Sequence, residues 1–217
     1  MKSFLVIGLG RFGRHLTRSL IDLGNEVMVV DQDEELVARM ANIATAACVG
    51  DCQDEQVLES LGVRNFDVCF VCVKNDFQSS LEATATLKEL GAKCVVARAD
   101  QEKQIKFLKK IGADFVIHTE MDMAVRAAMR FSARNAFDYF ELTPKFAVFE
   151  IETPVEWEGK TVMEMDVRRR YNVNILGVKN GDEVEPLLDP HYRFVADSHL
   201  IIAGSKDSGI QLMNTEA

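Results

Sequence analysis

The sequence predicts an α/β protein, a doubly wound parallel sheet followed by a small α+β domain, and three observations predict it. Short apolar runs alternate with amphipathic stretches through the first two thirds of the chain. Those stretches end repeatedly in an apolar residue plus glycine, and the pattern changes after Thr143-Pro144. Continuous apolar strands separated by helices belong to a parallel sheet buried on both faces.

The elements follow in order. Phe4 to Ile7 is an apolar strand that runs into Gly8-Leu9-Gly10-Arg11-Phe12-Gly13, and a helix follows with Leu16, Leu20 and Leu23 on one side. Leu23-Gly24 stops that helix, and Val27 to Val30 forms the second strand, closed by Asp31. Ala46 to Val49 is the third strand and leads into Gly50-Asp51. Leu61-Gly62, Leu90-Gly91 and Ile111-Gly112 precede the strands Val68 to Val73, Cys94 to Arg98 and Phe115 to Ile117. In each case glycine suits the left-handed residue after a helix. A further helix runs from about Asp122 through Ala133. The expected division is therefore an N-terminal lobe over 1–135, then a linker and C-terminal lobe over 136–217. In the latter, Phe146 to Ile151 alternates as a strand and Val162 to Tyr171 reads as a short helix. Asn174 to Lys179 enters an Asn180-Gly181 hairpin turn, and His199 to Ala203 is the last strand.

Composition narrows the function. The 217 residues are 47% hydrophobic with a formal net charge of -9, and no basic run exceeds Arg168-Arg169-Arg170, so nucleic acid is not an expected partner. No stretch approaches the roughly 20 apolar residues of a membrane span. Met1-Lys2-Ser3 leads straight into the first strand, and the expectation is a cytosolic protein. Five cysteines suit reduced thiols rather than a disulfide framework. Cys69 and Cys72 lie three apart in a strand, which sends them to opposite faces, and Cys48 and Cys52 have no second pair at ligand spacing, so no structural zinc is expected.

The chemistry lies in the glycine turn. In a strand, G-x-G-x-x-G, helix arrangement with an acid about 20 residues on, the first glycine makes the tight turn, the second admits a pyrophosphate and the third packs helix on strand. Gly8, Gly10 and Gly13 occupy those positions and Asp31 can accept ribose hydroxyls, which makes the first lobe Rossmann-like; the alternative is a plain turn with Asp31 capping the next helix. Asp31 disfavours a 2′-phosphate by repulsion, so NADP is not expected. Arg11 at the helix N-terminus can reach a di- or triphosphate, or be a solvated charge. Asp51 can line the pocket or cap a helix, and Asn75-Asp76 is placed similarly. Glu120 reads as part of a helix cap unless a cation stands opposite. Tyr-x-x-x-Lys, G-x-S-x-G, G-x-x-x-x-G-K-[ST] and H-E-x-x-H are missing, and His15, His118, His191 and His199 are scattered. The reading is nucleotide binding without a reacting group.

With these residues in view, the chain resembles the cytosolic regulatory subunits of bacterial Trk and Ktr potassium transport systems, which carry a regulator of potassium conductance domain. The match rests on Val6 to Gly13, Val29-Val30-Asp31, Leu61 to Asp67, Ile111 to Asp114 and His118 to Met123. It continues through Val167 to Tyr171 and Asn174 to Val178. The Ktr type is nearest, although Gly50-Asp51 is more like the Trk version. The resemblance implies a non-enzymatic gating subunit at the inner face of the membrane, binding ADP or ATP, or NAD or NADH, through Gly8, Gly10, Arg11, Phe12, Gly13, Asp31, Gly50 and Asp51. It implies that Arg11 contacts phosphates and that Glu120 helps hold Mg²⁺ or Ca²⁺ with ATP at a dimer interface. It further implies dimers assembled into an octameric ring and an integral-membrane potassium-translocating partner. Ktr-type relatives bind cyclic di-AMP between two C-terminal lobes, which makes Val162, Met163, Arg168 and Asn174 candidate contacts here; Met163 departs from the branched aliphatic residue of the relatives, and the alternatives are Arg168 as a solvated charge and a lobe that serves dimerisation alone. The rival reading is an NAD-dependent dehydrogenase or reductase. A nucleotide-sensing transcription regulator would need a DNA-reading helix that the charge pattern does not provide.

Overall fold

The computed structural model describes residues 1–74, 76–132, 136–186 and 189–214. The chain divides into two compact units, Met1–Glu120 and Met121–Ala217. Ala133 to Asn135, where the expected helix ends and the expected boundary falls, and Asn75 lie outside the described residues.

The first unit alternates strand and helix as β1 (Ser3–Ile7), α1 (Arg11–Asp22), β2 (Glu26–Asp31), α2 (Glu34–Met40), β3 (Ala46–Val49) and α3 (Glu55–Ser60). It continues as β4 (Val68–Val71), α4 (Phe77–Glu89), β5 (Val95–Arg98), α5 (Glu102–Lys110) and β6 (Phe115–Ile117). The strands are parallel in the order β3-β2-β1-β4-β5-β6, the doubly wound arrangement whose order reverses between β1 and β4. Its two faces bury separate cores. Leu5, Ile7, Val71 and Val95 pack with Leu58, Leu87 and Leu108 on one side, while Val6, Val27 and Val29 pack with Leu20, Val37 and Met40 on the other. Cys69 belongs to the first core and Cys72 to the second, as their spacing requires, and burial pushes both thiols up to about 12. β4 ends at Val71 rather than Val73, which leaves Cys72 and Val73 in the turn at the sheet's carboxyl edge.

α6 (Thr119–Ser132) opens the passage to the second unit. That unit has β7 (Ala136–Thr143), β8 (Phe146–Glu152), α7 (Val162–Met165), α8 (Val167–Tyr171), β9 (Val173–Asn180), β10 (Glu183–Pro186), β11 (His199–Ser205) and α9 (Lys206–Met213). Its antiparallel sheet runs β10-β9-β11-β8-β7. The single helix expected over Val162 to Tyr171 is two, because Asp166 turns left-handed at φ +44° between them. β7 and α9 have no counterpart among the sequence expectations. β7 pairs with β8 through two register shifts, so its apolar residues do not keep a period of two. α9 owes its seat to Gly209, where a β-carbon would overlap the Phe149 ring.

Trp157, Phe149, Phe194, Leu200 and Ile202 fill the core of this unit. On the opposite face of the sheet Glu150 accepts from Lys179 Nζ at 2.9 Å and meets His199 Nδ1 at 2.8 Å. Burial alone would raise the Glu150 carboxyl, but these two partners outweigh it and hold the carboxyl below its ordinary value. A depressed carboxylate stabilises the fold above its unfolded pKa and loses that contribution as pH falls through the folded one. Urea unfolding followed by Trp157 fluorescence should therefore weaken from pH 6 to pH 3, and Glu150→Gln should flatten that loss. Equal acid slopes in the two proteins would show that the cluster contributes nothing.

Candidate functional site

A cleft of about 460 Å³ opens at the carboxyl edge of the parallel sheet, where the strand order reverses. Gly8, Gly10, Asp31, Gly50, Asp51, Lys74 and Asp76 are among its lining residues. Of the expected nucleotide contacts, Gly8, Gly10, Asp31, Gly50 and Asp51 line it, whereas Arg11, Phe12 and Gly13 stand beside it on the first turn of α1.

The glycines divide by what surrounds them. Gly8 has φ +94°, and a β-carbon there would sit 3.0 Å from the backbone of Cys72 and Val73. A β-carbon on Gly13 would overlap the Gly8 carbonyl oxygen. Gly10 is different: its φ is -56° and a β-carbon would meet nothing within 4 Å. The space over Gly10 is open cleft. Gly10 is also the N-cap of α1, makes no side-chain cap bond, and has no acid in the turn that follows. Asp33, Asp54 and Asp76 cap α2, α3 and α4. The start of α1 thus presents backbone N–H groups and the positive end of a helix dipole, the ordinary seat of a phosphate.

Asp31 is not a helix cap. Its Oδ2 accepts from the Leu9 N–H of the glycine turn and its Oδ1 from the Asp33 N–H at 2.9 Å, while Arg14 Nη1 donates to the Leu9 carbonyl at 2.8 Å. The acid therefore fastens the end of β2 to the turn after β1, and its remaining lone pairs suit ribose hydroxyls. Asp51 is exposed and accepts from the Gln53 N–H at 2.9 Å, so it too is no cap. Asp76 accepts from the Ser79 N–H at 3.1 Å and from the Ser79 hydroxyl, which also receives Gln53 Nε2. The Ser79 hydroxyl and then the Ser79 N–H hold the Asp76 carboxyl below its ordinary value. Burial first, then the adjacent Asp51, pushes the Cys52 thiol up to about 11, which leaves it protonated and a poor nucleophile. Among the described residues, each carboxylate in the cleft is bound to a backbone N–H, and no histidine lines it. That arrangement suits holding a nucleotide.

Arg11 is exposed and has no salt bridge among the described residues. Glu120 does have basic groups opposite it. Its Oε1 accepts from Arg98 Nη2 at 2.7 Å and lies 3.8 Å from Lys74 Nζ, and its Oε2 accepts from the Thr119 hydroxyl at 2.7 Å. The Thr119 hydroxyl first, then its own backbone N–H and the Arg98 and Lys74 charges, hold the Glu120 carboxyl below its ordinary value. The Arg98 side chain is only 6% exposed, lies 3.1 Å from Asp100 Oδ1, and sits 5.6 Å from the Phe12 ring centre. Hard divalent cations gather several oxygen donors. Here the one carboxylate already faces two cations, and among the described residues no group of three or more His, Cys, Asp or Glu is set to hold a metal. Without oxygens from a ligand or a second copy, the residues around Glu120 in one chain do not fit a divalent ion. Arg98 and Lys74 were legible only as cations at the ends of apolar strands; nothing in the sequence ties them to Glu120.

The cyclic di-AMP candidates lie on the second unit. Val162 is half-buried against its core and Met163 is exposed, their N–H groups donating to Tyr192 and Pro190 carbonyls at 3.1 and 3.0 Å. Arg168 on α8 and Asn174 on β9 are exposed.

The second and third glycines of the turn give opposite expectations for substitution. Gly10→Ala should leave the thermal midpoint within a few degrees of wild type yet weaken nucleotide binding at least about tenfold, because a methyl enters only ligand space. Gly13→Ala should cost about 3 kcal/mol or more through the backbone overlap. Calorimetric titration and thermal melts check both; a Gly10→Ala protein that binds as tightly as wild type would move the ligand elsewhere.

Comparison with known proteins agrees with this geometry. Residues 4–119 match the TrkA-N domain and residues 146–215 the TrkA-C domain. The chain is 42% identical over 183 residues to Ktr system potassium uptake protein C of Bacillus subtilis, covering 84% of this chain and 83% of that protein. It is 31% identical over 206 residues to Ktr system potassium uptake protein A of Vibrio alginolyticus, covering 95% and 94%. A solved GsuK channel bound to NAD shares the fold at a TM-score of 0.73 and 19% identity, over all of this chain and 40% of that one. The chain belongs to the family of Ktr and Trk potassium uptake regulatory subunits.

Proposed function

We propose that this chain is the nucleotide-sensing gating subunit of a bacterial potassium uptake transporter. ADP or ATP, with NAD(H) as the alternative, occupies the cleft. The observation that carries the reading is the uncapped start of α1 over an open Gly10, beside carboxylates already committed to backbone N–H groups. Such a site binds and does not react, so the subunit is not an enzyme. Support comes from solved GsuK chains of this fold, one bound to NAD and another to ADP. Arg11 would reach the phosphates and Asp31 the ribose.

Binding becomes gating through linkage. A nucleotide that binds one arrangement of paired subunits more tightly shifts the population toward it and so biases the membrane partner, which supplies the pore. Pairing has a physical motive. α6 has no buried residue, and Met123, Val125 and Phe131 on it, with Phe140 and Leu142 on β7, are all more than two-fifths exposed. An apolar surface of that kind calls for a partner, and a second copy fits the reading of a dimer within an octameric ring at the inner face of the membrane. No helix among the described residues is long and apolar enough to cross a membrane.

Potassium uptake tests the reading directly. Cells lacking their Ktr regulatory subunit, carrying the matching membrane subunit, should regain uptake with the wild-type chain and not with Gly10→Ala at equal expression. Recovery with both would separate uptake from the cleft. For the second unit, we place cyclic di-AMP against Val162, Met163, Arg168 and Asn174 of two paired copies. Calorimetry should then give one cyclic di-AMP for every two chains, and Arg168→Ala should abolish that heat while leaving the ATP titration unchanged. One ligand per chain, or an unaltered Arg168→Ala titration, would refute this placement.

A further inference from the structure

We propose that Lys74 reads the phosphate charge of the ligand, supplying with a tethered ammonium the positive charge that a divalent cation beside Glu120 would otherwise bring. The inference rests on the nucleotide reading above and adds the group that sets ligand charge and the independence from metal.

Position comes first. Lys74 follows Val73 in the turn that leaves β4 at the switch point, and the backbone of Cys72 and Val73 abuts Gly8. Lys74 lines the same cleft as Gly8 and Gly10. A cation there faces whatever the glycine turn admits.

The second argument is which ion pair yields. Arg98 is held hard: its side chain is almost wholly buried, it bonds Glu120 at 2.7 Å, and it stacks near Phe12. Its Nε is buried with no hydrogen-bond partner among the described residues, so the protein holds the guanidinium through its Nη2 ion pairs with carboxylates. Lys74 is held loosely. It stands 3.8 Å from the same Glu120 oxygen, and both side chains are 51% exposed, the setting in which an ion pair contributes little. An incoming phosphate can therefore draw Lys74 off Glu120 while Arg98 stays and keeps the carboxylate balanced. Phosphate oxygens accept charge-assisted bonds from an ammonium more strongly as their charge rises, from NAD through ADP to ATP.

The third argument is the misfit with a metal. A divalent ion on Glu120 would enter between Arg98 and Lys74, against two positive charges within 4 Å of one oxygen. An ammonium delivers charge to the phosphates without that repulsion.

The test is calorimetric titration of the full-length protein with ATP, ADP and NAD, in EDTA and in Mg²⁺, for wild type and Lys74→Gln. Wild type should bind ATP with affinities in EDTA and Mg²⁺ that agree within about twofold. Lys74→Gln should lose about tenfold for ATP in EDTA, lose under twofold for NAD, and regain ATP affinity in Mg²⁺, with an unchanged melting temperature. Wild-type ATP binding that collapses in EDTA, or Lys74→Gln that binds ATP like wild type, overturns the proposal and leaves the nucleotide reading standing. A folded wild-type protein that binds none of the three nucleotides overturns both.

Discussion

The close approach of α1 to the turn after β1 is the constraint on which the first unit depends. Gly13 lies so near the Gly8 carbonyl that a β-carbon has no room, and Gly8 lies as near the backbone leaving β4. Three elements thereby meet at the point where the strand order reverses. Close meeting of backbones leaves no side chain to fill the space above, and the cleft over Gly10 is that space. Binding capacity here follows from backbone packing more than from any one polar group.

The polar groups stabilise that meeting point before they serve a ligand. Asp31 joins the end of β2 to the glycine turn and to the loop before α2 with two backbone N–H bonds. Asp76, Ser79 and Gln53 join the turn after β3 to the start of α4. A buried or half-buried N–H left without an acceptor costs about 1–3 kcal/mol, so these acids are fixed by the fold. Replacing one would change the cleft's shape as well as its chemistry, which makes Gly10, with its empty surroundings, the cleaner probe.

Much of this was legible in the sequence for a physical reason: the glycine turn, the apolar strands and the glycine helix stops are local patterns, readable within a few residues. Gly24, Gly62, Gly91 and Gly112 all take positive φ, as their places after helices require. What escaped depends on contacts far along the chain or on a broken period. Arg98 meets Glu120 across 22 residues, and neither position advertises the other. Asp166 turns left-handed without being glycine, so the break between α7 and α8 carries no composition signal. The register shifts of β7 erase the alternation that marks a strand. For Asp31 and Asp51 the structure removes the capping alternative, because the helix N-termini engage Asp33 and Asp54 instead.

Glu120 closes the first compact unit and stands in the first turn of α6, the helix that leads to the second. Its carboxylate is shared between a fixed guanidinium and a loosely held ammonium. If a phosphate takes the ammonium, the charge at the start of α6 changes, and a carboxylate at a helix N-terminus interacts with that helix's dipole. The same helix bears exposed apolar residues suited to a second copy. On the proposals above, ligand charge and pairing would be linked through one turn of helix. Linkage is reciprocal: whatever factor a nucleotide changes in the affinity between paired subunits, pairing changes in the affinity for the nucleotide. If the subunit pairs as proposed, a paired copy would therefore bind the nucleotide with a different affinity from the same subunit alone.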